Sequence, residues 1–209
     1  RRYYIDRYFE KKEYDRVLQV LDESIELDKA YRGQVLEYNQ KKKEIYRLQG
    51  NKSAYIEQLW KLVLEQSAGD LDIYKELKAQ YSEKEWLIKR EELFKKLPAN
   101  AHIDRLYKEE KLYDRLLAYV LKSSGLYAVQ TYENVLKKEY PKQILSKYQG
   151  EVNKMASCTG NRKHYADLVA LLRRMKQIKG GSEIVETIVE EWKIKYRNRP
   201  AMMDELSKL

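Results

Sequence analysis

The chain has 209 residues, of which 36% are charged; 42 basic side chains against 33 acidic ones give a net charge of +9. The single cysteine, Cys158, excludes an internal disulfide, and no apolar run approaches the ~18 residues of a membrane span. The first residues, Arg1-Arg2-Tyr3-Tyr4, show no signal pattern, so the sequence reads as a fragment of a longer cytoplasmic protein that opens inside a helix.

Three prolines, eight glycines and a preponderance of Leu, Lys, Glu and Tyr predict an all-α chain with more than about 70% helix. Nineteen tyrosines stand against two phenylalanines. Tyrosine buries a ring while its hydroxyl reaches water or a carbonyl, which suits thin helical layers.

In chain order, a first helix is expected over 1–11 and a second over 13–24, with Tyr14, Val17, Leu18, Leu21 and Ile25 at helical spacing. A long helix over 31–48 stops at Gly50-Asn51, residues that accept a left-handed backbone. Helices over 53–66 and 71–81 flank the break Ala68-Gly69-Asp70. Ser82 and Glu85 form a capping box that opens a helix running to residue 97, before Pro98-Ala99-Asn100. Helices over 101–111 and 112–122 precede the turn Ser123-Ser124-Gly125. A helix over 126–139 leads to Pro141, which opens the next, running to residue 158. Asn161 is the expected N-cap of a helix over 162–178. Gly180-Gly181-Ser182 is the clearest flexible point, followed by a helix over 183–196 and a short one starting at Pro200.

The chain repeats itself faintly. Tyr14-Asp15-Arg16-Val17-Leu18 recurs as Tyr113-Asp114-Arg115-Leu116-Leu117, with Tyr8 and Tyr107 six residues upstream. Gly50-Asn51-Lys52 with Tyr55 recurs as Gly160-Asn161-Arg162 with Tyr165. The aligned tyrosines are spaced by 41, 58 and 52 residues, looser than the ~34-residue tetratricopeptide period. The expectation is a single helical-repeat domain over 1–209, an irregular right-handed stack of antiparallel hairpins resembling tetratricopeptide or HEAT arrays. A sub-boundary, if present, is expected near 98–101, where the Tyr-Asp-Arg repeat restarts.

Few residues offer chemistry. Cys158, His102 and His164 lack the number and spacing of a zinc site. Cys158 and His164 flank one helix break, but neither a third orienting group nor an oxyanion loop accompanies them. Glu109-Glu110 and Glu190-Glu191 are adjacent helix positions that do not face each other. No Walker loop, dinucleotide fingerprint or serine elbow is present. The expectation is a non-enzymatic chain with no metal of its own.

Residues 1–100 hold 21 basic and 19 acidic side chains, residues 101–209 hold 21 and 14. On the helix after Asn161, Arg162 and Arg173 share one line and Lys163 and Arg174 another, with Ala166 and Ala170 between them. His164 falls on the opposite, apolar face with Leu168, Leu171 and Met175, where a ring nitrogen is expected to meet a backbone carbonyl. The basic side and the helix start make Asn161, Arg162, Lys163, Arg173 and Arg174 the candidate site for phosphate or an acidic partner. No aromatic lies among them for base stacking.

Two segments carry a resemblance. Asn161-Arg162-Lys163-His164-Tyr165, followed by Arg173, Arg174 and Met175, and then Tyr196-Arg197-Asn198-Arg199-Pro200-Ala201-Met202-Met203-Asp204-Glu205-Leu206, together resemble the C-terminal end of bacterial SWIM zinc-finger proteins. The likeness is specific over about residues 155–209. It implies that His164, Tyr165, Arg199, Pro200, Asp204 and Leu206 are family-motif structural residues. It also implies a zinc-binding Cys-x-Cys, Cys-x-His motif N-terminal to residue 1; none of its ligands is in this sequence. Methionines at 202 and 203 replace the usual leucines with similar volume.

The repeats favour an interaction scaffold for a partner protein; the alternative is a nucleic-acid-binding accessory domain using the basic C-terminal half. No membrane partner and no small-molecule substrate is indicated. Residues 197–209 are expected to dock as a cap, seated on the helix carrying Ile184, Ile188 and Trp192 and on the helix bearing Tyr165. Arg199 is expected to hold the turn near an acid or near helix C-terminal carbonyls.

Overall fold

In the computed structural model, which describes residues 1–209, thirteen α-helices and one π-helical turn hold 76% of the chain and there is no strand. The chain forms two compact units, Arg1–Glu110 and Lys111–Leu209.

In the first unit, α1 (Arg2–Glu10), α2 (Tyr14–Leu27), α3 (Arg32–Leu48) and α4 (Lys52–Lys61) are joined by short turns, and each packs on the next. Ile5, Val17, Leu21 and Ile45 form one core cluster. α4 runs into the π turn Leu62–Gln66, and α5 (Leu71–Lys78), α6 (Glu83–Lys96) and α7 (Ile103–Glu109) complete the unit around Leu59, Tyr74, Trp86 and Leu93. Between α3 and α4 the buried Gln58 amide donates to the Asn39 carbonyl and side-chain oxygens at 3.1 and 2.9 Å. Both groups are satisfied, so the pair fixes the register of two otherwise apolar faces.

The helix ends follow the sequence closely. Asn51 and Asn161 are side-chain N-caps, accepting from the N–H of Ala54 and His164. Asp70 caps α5, Ser82 and Glu85 form the capping box of α6, and Pro141 and Pro200 open their helices. The Tyr-Asp-Arg repeat marks a corner: Lys12 and Lys111, each two residues before the repeated tyrosine, are the only non-glycine residues with positive φ, at 58° and 55°. At the first corner the N–H groups of Lys12 and Glu13 donate to the carbonyls of Phe9 and Tyr8, a Schellman stop with lysine in the place usually held by glycine.

The break at Pro98-Ala99-Asn100 does not end the first unit. Leu106 of α7 is fully buried in the same core as Trp86 and Leu93, and Tyr107 meets Phe94 edge-on at 5.3 Å. The boundary falls after Glu110 because that side chain, only 6% exposed, is tied back into the unit. Its carboxylate accepts from Tyr74 Oη (3.0 Å), Lys78 Nζ (2.8 Å), Trp86 Nε1 (3.1 Å) and Arg90 Nη1 (3.1 Å).

The second unit comprises α8 (Tyr113–Lys122), α9 (Tyr127–Leu136), α10 (Pro141–Ser157), α11 (Arg162–Lys176), α12 (Gly181–Lys195) and α13 (Pro200–Leu206). α8 packs on α9 and α10, α10 on α11, and α11 on both α12 and α13. Of Gly180-Gly181-Ser182, expected as a flexible point, Gly181 is tightly packed while Gly180 is exposed. Gly180 takes the left-handed conformation at φ 84° as the N-cap of α12. Gly181 is buried so close to α11 that a Cβ there would lie 1.8 Å from the Met175 carbonyl oxygen.

Tyrosine has a use here that composition alone does not give: at Tyr38, Tyr55, Tyr74 and Tyr148 the hydroxyl meets a carboxylate. Tyr38 donates to Asp28, which also pairs with Arg1. Tyr55 donates to Glu76, held by Lys43; Tyr74 to Glu110, held by Arg90 and Lys78; Tyr148 to Glu133, held by Arg174. Each cluster combines an apolar ring with a charge-assisted hydrogen bond, so none of these four acids stands without a donor. Burial, together with the Glu76 carboxylate, pushes the Tyr55 hydroxyl up to about 12. Burial raises Glu110, but the hydrogen bonds from Lys78, Trp86, Arg90 and Tyr74 together outweigh it and hold that carboxyl below its ordinary range.

Candidate binding groove and the basic face of α11

The five polyanion candidates share one element, but they do not form a free basic face. Asn161 caps α11 with its side-chain oxygen, which receives the His164 N–H at 3.0 Å. Arg162 pairs with Asp204 and, at 3.2 Å, with Glu205 of α13. Arg173 donates to the Lys208 carbonyl oxygen at 2.5 Å. Arg174 reaches α9, donating to the buried Glu133 carboxylate at 2.7 Å and to the Gln130 carbonyl at 3.2 Å. Only Lys163 has neither an ion pair nor a side-chain hydrogen bond of this kind. Helical angles put these side chains on the solvent side, where Arg162 and Arg173 stay exposed, but partners on α13, the C-terminal residues and α9 occupy three of them.

His164, Tyr165, Arg199, Pro200, Asp204 and Leu206 assemble at the same end. His164 is half-buried, its Nε2 3.0 Å from the Met155 carbonyl oxygen, in keeping with an imidazole among apolar neighbours. Its ring lies against Gly160, where a Cβ would come within 2.3 Å of the imidazole, and the Tyr165 hydroxyl accepts the Gly160 N–H at 3.2 Å. Arg199 donates to the carbonyls of Ala156, Ser157 and Cys158 at the end of α10. Pro200 opens α13, and Met202 and Leu206 are buried below it. The C-terminal segment thus docks as a cap with Arg199 on helix-terminal carbonyls, but its main seat is α11 rather than α12.

Cys158 and His164 are not assembled as a nucleophile and base. The exposed thiol lies 3.7 Å from the Lys154 carbonyl oxygen, while the imidazole faces that of Met155. No group of three or more His, Cys, Asp or Glu side chains converges at metal-binding range.

A concavity in the first unit escaped the sequence. A groove of about 790 Å³ opens between the α2–α3 corner, the π turn and the segment 98–102. Ile25, Val35, Leu64 and Pro98 give it apolar surface. Lys29 and Arg32 stand at one side, Lys61 at the other, with His102 and Asn100 contributed by the segment after α6. The geometry depends on two local features. The Ser67 N–H bonds the Leu62 carbonyl at 2.8 Å, five residues back, so the π turn shifts the helical phase and brings Leu64 and Glu65 to the groove. Gly69, at φ 75°, lets the second wall approach: a Cβ there would lie 3.1 Å from the His102 nitrogen.

Charge is distributed unevenly around this groove. On the outer part of α3, Lys41, Lys42 and Lys43 each pair with a carboxylate at 3.0, 2.6 and 2.6 Å. Lys29, Arg32 and Lys61 have no carboxylate within ion-pair distance, although Glu26 and Glu65 line the same groove. Its residues come from three separate corners with no shared periodicity. The breaks Ala68-Gly69-Asp70 and Pro98-Ala99-Asn100 were the sequence signals nearby, and each reads as an ordinary break.

No protein-family model matches the chain, and no curated protein and no solved structure matches it.

Proposed function

We propose that the chain is a helical-repeat interaction scaffold, without catalysis of its own, that holds a partner protein. The observation that carries this reading is the recurrence of two structural devices. The left-handed lysine two residues before a repeated tyrosine appears at Lys12 and Lys111, and the asparagine cap four residues before a tyrosine appears at Asn51 and Asn161. Repeated corners, with α1–α4 and α8–α12 each packed on the next, are the economy of an α-solenoid, and we read the hairpins within each unit as an irregular right-handed antiparallel stack of the tetratricopeptide or HEAT kind. The groove supplies the concave surface such scaffolds use.

The resemblance to SWIM zinc-finger proteins belongs to the same proposal, with this chain as the helical companion of a zinc-binding module. Its support is that Arg162, His164, Arg199, Asp204 and Leu206 all serve the docking of α13 and the α10–α11 turn. A cytoplasmic setting fits the exposed thiol of Cys158. No helix is long and apolar enough to cross a membrane.

The test is chemical cross-linking of the chain in extract of its own source. The captured protein is identified and complex formation is repeated with both components purified. A saturable complex of fixed stoichiometry is expected. Retention of nucleic acid alone, with affinity that falls steeply as salt rises, would replace the scaffold reading with the nucleic-acid one.

A further inference from the structure

We propose, resting on the scaffold reading above, that the groove between the α2–α3 corner and the π turn takes an extended segment of a partner protein in which carboxylates alternate with apolar side chains. Three properties of the groove select that chemistry.

The first is unanswered positive charge in a concave place. Lys29, Arg32 and Lys61 approach the groove from two sides without an ion pair of their own. Cations on the wall of a low-dielectric concavity attract anions more strongly than the same cations on a convex surface. The second is apolar surface between them, from Ile25, Val35 and Leu64, which a purely ionic ligand would leave wet. The third is the pair of carboxylates Glu26 and Glu65 on the same walls, together with the absence of any Phe, Tyr or Trp ring among the lining residues, which leaves the His102 imidazole as the one aromatic ring. A polyphosphate backbone would meet repulsion from both acids and find a single ring, the His102 imidazole, where single-strand binding uses a row of them. A peptide avoids both problems, because its charges are spaced by residues and its N–H groups can face Glu26 or Glu65.

The π turn also fits this assignment. It displaces Leu64 and Glu65 from the line that a regular α-helix would give them and presents both to the groove. Such bulges break regular helical hydrogen bonding, and they recur where a helix is shaped for a ligand.

The experiment uses the full chain and three labelled octapeptides, read by fluorescence anisotropy. One alternates glutamate with leucine, one glutamine with leucine, and one glutamate with serine. The glutamate–leucine peptide should bind, each of the others should bind about tenfold more weakly or not at all, and binding should weaken several-fold when salt rises to about 0.5 M. The variant R32E/K61E should lose tenfold or more, whereas K84E/K95E, two exposed reversals on α6, should match the parent. Equal binding of the glutamine–leucine peptide, or an unaltered affinity in R32E/K61E with its circular dichroism unchanged, overturns the assignment. So does displacement of the glutamate–leucine peptide by an oligothymidylate. If the peptide does not bind yet the chain still retains its cross-linked partner, the groove assignment fails and the scaffold reading stands. If neither is retained, both fail.

Discussion

Arg199 lies over the ring of Tyr196, with its guanidinium carbon 4.3 Å from the ring centroid. The stacked plane aims the N–H groups past the ring at the last carbonyls of α10, so one side chain joins the end of α12 to the end of α10. A seven-residue helix does not persist alone in water, and α13 owes its order to this turn and to Met202 and Leu206 beneath it. Deleting residues 200–209 should lower the melting temperature by several degrees, since burial of such side chains contributes about 1.5–3 kcal/mol each. Arg199→Lys should recover little of what Arg199→Ala loses, because an ammonium cannot both stack and fork. Thermal melts of the three variants decide it; an unchanged midpoint in the truncated chain would show that the segment contributes nothing.

The Glu110 cluster makes an acid-sensitive contribution. Its carboxyl is held below the ordinary 4.5, so the stabilisation is complete above that unfolded value and is lost as pH falls through the lower folded one. Glu110→Gln leaves the Arg90 guanidinium, 13% exposed, with Glu91 at 3.3 Å as its one counter-charge and should cost about 2 kcal/mol at neutral pH. Denaturant titrations of parent and variant at pH 7 and again near pH 3 should show that difference shrinking in acid. A gap that stays constant would mean Glu110 is not the titrating group.

Two glycines should respond in opposite directions to the same substitution. At Gly181 an added methyl collides with the backbone carbonyl of Met175, which cannot swing away as a side chain would, so Gly181→Ala should cost about 3 kcal/mol. At Gly150, inside α10 with nothing within 4 Å of a built Cβ, alanine should add about 0.5–1 kcal/mol. Equal effects at the two positions would contradict the packing described for the α11–α12 turn.

The fold was legible where local physics decides it. Periodicity, the Asn51 and Asn161 caps, the Ser82–Glu85 box and the two helix-opening prolines are all nearest-neighbour effects, and the helices follow them to within a few residues. The tyrosine-acid clusters were not legible, because partners such as Tyr74 and Glu110 lie 36 residues apart and no period links them. The same holds for Arg174 and Glu133, and it explains how a row of cations on one helix came to look like a free face. The π turn left no trace because its residues, Leu62 to Gln66, continue the apolar pattern of α4 without interruption.

Lys12 is a lysine doing a glycine's work. At φ 58° its Cβ sits close to the following carbonyl, a conformation that costs about 1–2 kcal/mol for residues other than glycine. Lys12→Gly should therefore gain about 0.5–1 kcal/mol after the extra chain entropy of glycine is allowed for. Lys12→Val should lose more than that. Equilibrium unfolding in urea reads both; a destabilised glycine variant would mean that the lysine side chain itself supports the corner.

The reach of Arg174 from α11 to α9 makes one more distinction measurable. Arg174 stands 2.7 Å from Glu133, whose side chain is 6% exposed and also accepts the Tyr148 hydroxyl. Reversing that charge would set two carboxylates against each other in a site closed by the Tyr148 ring, with Lys137, 3.7 Å away, as the only other cation paired to Glu133. Arg174→Glu should thus destabilise the second unit by about 2 kcal/mol or more. Lys163, one residue from Arg162 on the same helix, has no such partner, and Lys163→Glu should stay within about 0.5 kcal/mol of the parent. The pair separates two descriptions of the helix, since a solvated basic face would let both substitutions pass unnoticed. Hydrogen exchange in α9 should rise for Arg174→Glu and not for Lys163→Glu, because only the first removes an anchor between α11 and α9. If both variants melt with the parent and exchange alike, the Arg174–Glu133 bond holds nothing and the tyrosine-acid cluster in this unit rests on Tyr148 and Lys137.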